Sequence, residues 1–207
     1  MWIVKIGGSL LGSPELQHWL DIIATFGDGK VVIVPGGSVF ADAVRSAQQL
    51  SGIGDATAHQ LALIAMDQFG LLLSAMNPNL STASSELELA ERSWQHQGII
   101  WLPSKMVLAD DTIQKNWHIT SDSLSAWLAN KIGAKHLLLI KSAVLSGDNS
   151  LITFEKLADE NLVDAAFVQF AQAKSYDVRL FNKAEFKAFE QALQQNTMSQ
   201  QGLLIRS

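Results

Sequence analysis

Two lysines, one aspartate and two glycine pairs are the residues of this chain whose types and spacing suit chemistry. Lys5 sits inside the apolar run Trp2 to Ile6, two residues ahead of Gly7-Gly8-Ser9. A second apolar run, Val31 to Val34, ends in Pro35-Gly36-Gly37-Ser38. Asp122 follows Thr120-Ser121 at the start of a helical pattern, and Lys141 follows the apolar run Leu137 to Ile140. Glycine lets backbone approach an anion closely, and successive N–H groups can form a nest around it. A helix beginning just beyond adds its positive end. Parts of this kind suit phosphate binding, with a lysine to neutralise the charge.

Each part also has a plainer reading. A glycine pair after a strand serves as an ordinary strand-to-helix turn. Lys5 shares a strand face with Gly7. Its stem either lies along the sheet and delivers the ammonium at the glycine edge, or it faces solvent from an edge strand. Asp122 either caps its helix or holds a lysine or a magnesium ion. Lys141 either faces the same cleft or is a solvated loop lysine. Gly7 and Gly12 give the spacing GxxxxG, but no Lys-Ser or Lys-Thr follows, so this is not a P-loop. No GxGxxG follows any strand, which argues against a dinucleotide-binding dehydrogenase. The five histidines show no HxxxH spacing. His59 and Asp67, eight residues apart on one helix, point about 80° from each other. No metal-ligating residue is therefore expected. His59 lies off the apolar stripe of its helix and is expected to be partly exposed or hydrogen-bonded. The six tryptophans are scattered and read as packing residues.

The elements that must position these residues alternate. Strands are expected at 2–6, 31–34, 99–102, 137–140, 178–181 and 203–205, with helices at 14–26, 39–50, 55–76, 122–132, 163–174 and 183–193. In the longest helix, Ala58, Leu61, Ala62, Ala65, Phe69, Leu72, Leu73 and Met76 form the apolar stripe. Residues 80–85 read as loop, and Ser85 with Glu88 as a capping box opening a short helix to about Gln95. Residues 105–115 read as loop or a helical turn. Thr120-Ser121 reads as the cap of the helix that Gly133 closes. This order predicts an α/β fold, a three-layer α/β/α sandwich with a mostly parallel sheet, in one domain over 1–207. Ligands of such sheets lie beyond the carboxyl ends of the strands, where both glycine pairs and the turn after Ile140 fall.

Composition narrows the function classes. Of 207 residues, 48% are hydrophobic and 17% charged, so the chain is globular rather than disordered. The formal net charge of −5 and the lack of any Lys/Arg run argue against nucleic-acid binding. No cysteine is present, which excludes disulfides and cysteine metal sites. The opening MWIVKIGG lacks the basic start and long apolar core of a signal peptide. No apolar run approaches the roughly 18 residues of a membrane span. A soluble, cytoplasmic protein without membrane partners is the expectation.

VKIGGSLL, IVPGGSVFADAVR, TSDSLSAWLANKIGAKHLLLIK and the closing GLLIR, in this order from first strand to last, resemble the amino acid kinase family. That family includes aspartate, acetylglutamate, uridylate and isopentenyl phosphate kinases. PGGSVFADAVR, DATAHQLALIAMDQFG, WLPS and WHITSDSLSAWLA are similar to one branch. That branch phosphorylates an aminomethyl-furan-methyl phosphate to its diphosphate in methanofuran- or methylofuran-type cofactor synthesis.

The resemblance implies ATP and magnesium as cofactors, a small phosphate or carboxylate acceptor, and a homo-oligomer. It implies that Lys5 bridges the transferring phosphoryl group and that Asp122 orients the lysines. Gly7, Gly8 and Ser9 would form the nucleotide-phosphate loop, with Lys141 beside it. Gly36, Gly37 and Ser38 would form the acceptor-side loop. The chain departs from the pattern at three places. Ser38 stands where the family carries its third glycine. Lys141-Ser142-Ala143-Val144 replaces the usual Thr/Ser-Asp-Val-Asp-Gly nucleotide loop. Gly202-Leu203 replaces a closing Gly-Thr. An amino-acid carboxylate kinase, or a ligand-binding protein that kept the fold and lost the chemistry, are the rival expectations.

Overall fold

The structure is a computed structural model that describes residues 1–142, 152–172, 176–198 and 201–206. The strands are β1 (Trp2–Ile6), β2 (Val31–Pro35), β3 (Leu80–Ala83), β4 (Gly98–Trp101), β5 (His136–Lys141), β6 (Ile152–Thr153), β7 (Asp177–Asn182) and β8 (Leu203–Arg206). The helices are α1 (Pro14–Phe26), α2 (Ser38–Ser51), α3 (Asp55–Met76), α4 (Glu86–Trp94), α5 (Ser104–Leu108), α6 (Ser121–Lys131), α7 (Phe154–Asp159), α8 (Phe167–Ala171) and α9 (Phe186–Gln195). The strands form one sheet in the order β3-β4-β2-β1-β5-β7-β8-β6. All pairs are parallel except β7 with β8. The α/β sandwich expected from the alternation of elements is present.

β1 is central, paired with β2 on one side and β5 on the other. Such a strand is covered on both faces and reads as a nearly continuous apolar run. Ile3, Val4, Ile6 and Val31 to Val34 are fully buried, each worth about 1.5–3 kcal/mol against exposure. The pleat sorts them. Ile3, Val32, Leu137 and Leu139 pack with Leu124, Ala126 and Leu128 of α6. Trp2, Val4, Ile6, Leu138 and Ile140 pack with Leu16, Trp19 and Leu20 of α1 and Phe189 of α9. Two apolar layers, one on each face, hold the helices to the sheet.

Several local expectations change. Residues 80–83 form an edge strand instead of a loop. They lack an apolar run because only Leu80 and Ala83 are buried, and pairing with β4 decides their conformation. Ser85 Oγ accepts from the Glu88 N–H, as a capping box requires. The Glu88 carboxylate, however, accepts from Ser84, through its N–H and its hydroxyl. Within 105–115, only α5 is helical, ending at Leu108. The helix expected at 163–174 is confined to α8, with α7 before it; residues 173–174 lie outside the described residues. The helix expected from Lys183 opens as a 3-10 turn, Lys183–Glu185, capped by Asn182. On α3, Leu63 and Met66 are buried outside the expected stripe, whereas Leu61 is exposed. The reason is tertiary: α3 reaches both apolar layers, with Leu63 and Met66 in one and Phe69 and Leu73 in the other. Among the described residues, no helix is long and apolar enough to cross a membrane.

Candidate active site

The site forms where β1, β2 and β5 end. β1 and β2 run parallel with Ile6 beside Pro35, so their following turns leave the same rim. The Gly36 N–H donates to Ile6 O at 2.9 Å. The turns then press together. A Cβ on Gly8 would lie 2.3 Å from Ser38 Cα, and one on Gly36 would lie 2.7 Å from Gly8 N. These two glycines are required by backbone contact between the turns. Ser38 adopts φ 53°, the left-handed region that favours glycine. The Ser38 hydroxyl donates to Gly8 O at 3.4 Å.

Strand alternation places both lysines on the face covered by α6. Lys5 continues the row of Ile3, and Lys141 continues the row of Leu137 and Leu139 on the adjacent strand. α6 begins at the same rim, because the chain must return along its length before entering β5. Its Asp122 meets both lysines. Lys5 Nζ lies 3.0 Å from Asp122 Oδ1, and Lys141 Nζ donates to Oδ1 and Oδ2 at 3.0 Å each. Lys5 and Asp122 are each only 6% exposed, and the Lys141 side chain 15%. Lys5 is therefore neither on an edge strand nor in solvent. Its ammonium overhangs the first glycine turn, since a Cβ on Gly7 would lie 3.4 Å from Lys5 Nζ. Lys141 is likewise no solvated loop residue.

Two ammonium groups share the Asp122 carboxylate, and the Asp164 carboxylate at the α6 terminus also attracts Lys141. Burial alone would raise the Asp122 carboxyl, but Lys5 and Lys141 together hold it below the usual carboxylate range. Burial pushes the Lys141 ammonium down to about 8, with repulsion from Lys5 adding to the effect and Asp122 opposing it. A cluster of this kind favours a bound anion.

Thr120 does not cap α6, and Asp122 does not either. The capping group is Asp164, 41 residues beyond Ser123. Its Oδ2 accepts from the N–H groups of Thr120 and Ser123 at 3.0 Å each and from Thr120 Oγ1 at 2.7 Å. Ser123 Oγ donates to Oδ1. Asp164 thus holds the end of α6 and leaves Asp122 to the lysines. Asp164 had no local signal, because its partners are distant in sequence.

A cleft of about 490 Å³ opens beside the glycine turns, lined by Gly8, Ser9, Gly36, Gly37 and Ser38. Its other walls come from α2 and α3, with Asp42, Arg45 and His59, and from Trp117, Ile119, Thr120 and Ser121. The Arg45 guanidinium lies 4.6 Å over the Trp117 ring. The Trp117 indole N–H donates to Gln48 Oε1 at 2.7 Å. His59, expected to be partly exposed or hydrogen-bonded, is buried at 3% exposure and hydrogen-bonded to Asn116 O at 3.0 Å. The segment before α6 folds over it. Asp42 and Arg45 fall in the stretch PGGSVFADAVR, His59 in DATAHQLALIAMDQFG and Trp117 in WHITSDSLSAWLA; helix packing brings them to one cleft. On the other flank of the first turn, the Ser9 and Ser142 hydroxyls are 3.3 Å apart. Ala143 and Val144 of the altered loop lie outside the described residues.

A sequence profile of the amino acid kinase family matches residues 1–160. The chain belongs to the amino acid kinase family. A curated relative from Methanocaldococcus jannaschii, named [5-(aminomethyl)furan-3-yl]methyl phosphate kinase, is 32% identical over 140 residues. That match covers 67% of this chain and spans 64% of the relative's length. Among solved structures, uridylate kinase from Archaeoglobus fulgidus superposes with a TM-score of 0.69 at 15% identity, covering 99% of both chains. UMP kinase from Ureaplasma parvum gives 0.70 at 17% identity, covering 99% of this chain and 97% of that one. At such identities these two likenesses speak for the amino acid kinase fold alone. Against the family pattern, Ser38 is the departure with a visible backbone consequence, since the third glycine position here carries a side chain at positive φ.

Proposed function

We propose that residues 1–207 act as one ATP-dependent phosphotransferase domain whose acceptor is a small molecule already bearing a phosphate. A furan-methyl phosphate, converted to its diphosphate, is the acceptor best supported. The observation that carries this reading is the buried Lys5–Asp122–Lys141 cluster, two ammonium groups on one carboxylate, at the rim where the two glycine turns touch. The family and the printed name of the 32%-identical relative support the same reading.

Phosphoryl transfer through a loose transition state asks a protein for alignment and charge neutralisation rather than covalent chemistry. In this reading, Gly7, Gly8 and Ser9 hold the nucleotide phosphates, with Lys141 on their flank. Lys5 bridges the transferring group. Asp122 fixes both ammonium groups and is not itself a base. Gly36, Gly37 and Ser38, at the start of α2, hold the acceptor's phosphate. That phosphate is already ionised, so no general base is needed. Among the described residues no group of three acidic or imidazole side chains can hold a metal ion, and the Asp122 carboxylate is engaged by two lysines. The residues therefore do not form a magnesium cage, and a magnesium ion would be carried by the nucleotide's own phosphates.

The test is incubation with ATP, magnesium and [5-(aminomethyl)furan-3-yl]methyl phosphate, followed by phosphorus NMR. A new pair of coupled diphosphate resonances is the expected result. A product that reacts with hydroxylamine would be an acyl phosphate, and the acceptor a carboxylate. Absence of any ADP formation with either acceptor class would overturn the phosphotransferase reading.

A further inference from the structure

The cleft wall made by α2 and α3 carries one buried polar atom that no protein group satisfies. His59 is 3% exposed and lines the cleft. Its Nδ1 lies 3.0 Å from Asn116 O. A carbonyl oxygen only accepts, so Nδ1 carries the hydrogen and Nε2 is left with its lone pair. Nε2 is buried and without a partner. An unsatisfied buried acceptor of this kind costs roughly 1–3 kcal/mol, and native interiors rarely tolerate one without a use. Burial holds the imidazole below its ordinary pKa, with repulsion from Lys115 adding to this and the Asn116 bond opposing it, so the ring stays neutral.

The lone pair itself indicates what the atom takes. Asp42 lines the same cleft from α2, but its carboxylate is engaged by Arg45. Arg45, which also lines it, is committed: one guanidinium nitrogen pairs with Asp42 Oδ1 at 2.9 Å, and the group lies over Trp117. Of the anion-binding parts, the glycine turns Gly8–Ser9 and Gly36–Ser38 form another wall of this cleft, and the lysine cluster does not line it. A hydrogen-bond donor fits the Nε2 lone pair, and an anion, which has only lone pairs to offer, does not.

We propose that His59 Nε2 accepts a hydrogen bond from a protonated amino group of the acceptor. The acceptor would then be a zwitterion, its phosphate at Gly36–Ser38 and its ammonium at His59. This rests on the phosphate-acceptor reading and goes further, because it makes His59 a residue that sets specificity. A hydrogen bond to a charged donor that is lost on substitution is worth about tenfold to a hundredfold in affinity.

The test is calorimetry on the full chain with two probes, [5-(aminomethyl)furan-3-yl]methyl phosphate and its 5-methyl analogue, which lacks the amine. The amine-bearing probe should bind about tenfold to a hundredfold more tightly to the native chain. His59→Leu should erase that preference while leaving the 5-methyl analogue's affinity unchanged, and His59→Gln, whose amide oxygen can stand in for Nε2, should restore part of it. Nitrogen NMR of the native chain should show the His59 Nε2 resonance moving on addition of the amine-bearing probe only, a readout that needs no variant to fold. Equal binding of the two probes, no binding of either, or an Nε2 resonance that ignores the amine would overturn the inference. ADP formation, measured separately, judges the kinase reading. A chain that phosphorylates both probes alike would keep that reading and lose this one.

Discussion

Replacing Lys141 by methionine tests the charge arithmetic of the site. The Lys141 ammonium is pushed down from 10.5 to about 8, chiefly by burial and then by Lys5. A Lys pKa lower in the folded chain than in the unfolded one means that the charged form is disfavoured by folding. Below pH 8 the group is protonated in both states, and the full cost is present. Between pH 8 and 10.5 the unfolded chain binds more protons than the folded one, so stability rises with pH. The drop from 10.5 to about 8 corresponds to about 3 kcal/mol. Methionine keeps the length of the side chain and removes the charge, leaving Lys5 and Asp122 as a neutral pair. The unliganded variant should therefore be more stable than the native chain at pH 7 by up to about 3 kcal/mol. The advantage should vanish by about pH 10.5. Urea unfolding of both chains at pH 7, 8, 9 and 10 measures the difference and cancels other titrating groups common to both. If the proposed nucleotide site is right, the variant should also bind ATP more weakly, because it lacks one ammonium on the flank of the first glycine turn. A stability difference that stays constant over this pH range, or a variant that is less stable at pH 7, would refute the claim that burial and Lys5 outweigh the attraction of Asp122 and Asp164 for the Lys141 ammonium.

Three further outcomes are expected. Lys5→Ala should lower kcat on the order of 10²–10³-fold with little change in KM, because the ammonium is positioned for charge that develops in the transition state; a native turnover rate would make Lys5 a spectator. Gly8→Ala places a Cβ 2.3 Å from Ser38 Cα, so the two turns must part; a loss of roughly 1–3 kcal/mol in thermal unfolding, together with lost turnover, is expected, and an unchanged Tm would show that the turns do not touch. Asp164→Ala removes a cap that two N–H groups and two hydroxyls of the α6 terminus share; stability should fall by about 2 kcal/mol, and hydrogen exchange at Ser123 should quicken, which would fail to happen if Thr120 were the true cap.

Local chemistry made part of this protein legible in the chain itself. Continuous apolar runs of four or five residues can only be strands buried on both faces, so β1, β2 and β5 and the parallel sheet follow from residue type. Glycine pairs directly after such runs mark the turns at the carboxyl rim, and the lysine two residues before Gly7 falls on the same strand face by pleat alone. Those features depend on neighbours a few residues apart. The rest depends on groups brought together across the whole chain. Asp122 lies 117 residues from Lys5 and 42 from Asp164, so whether it caps a helix or bridges two ammonium groups is decided only when Asp164 occupies the α6 terminus in its place. β3 becomes a strand because β4 offers it an edge. His59 is buried because the segment around Asn116 closes over α3. Spacing along the chain reports which face of an element a side chain takes; burial and pairing, which set charge and affinity, exist only once the elements have packed.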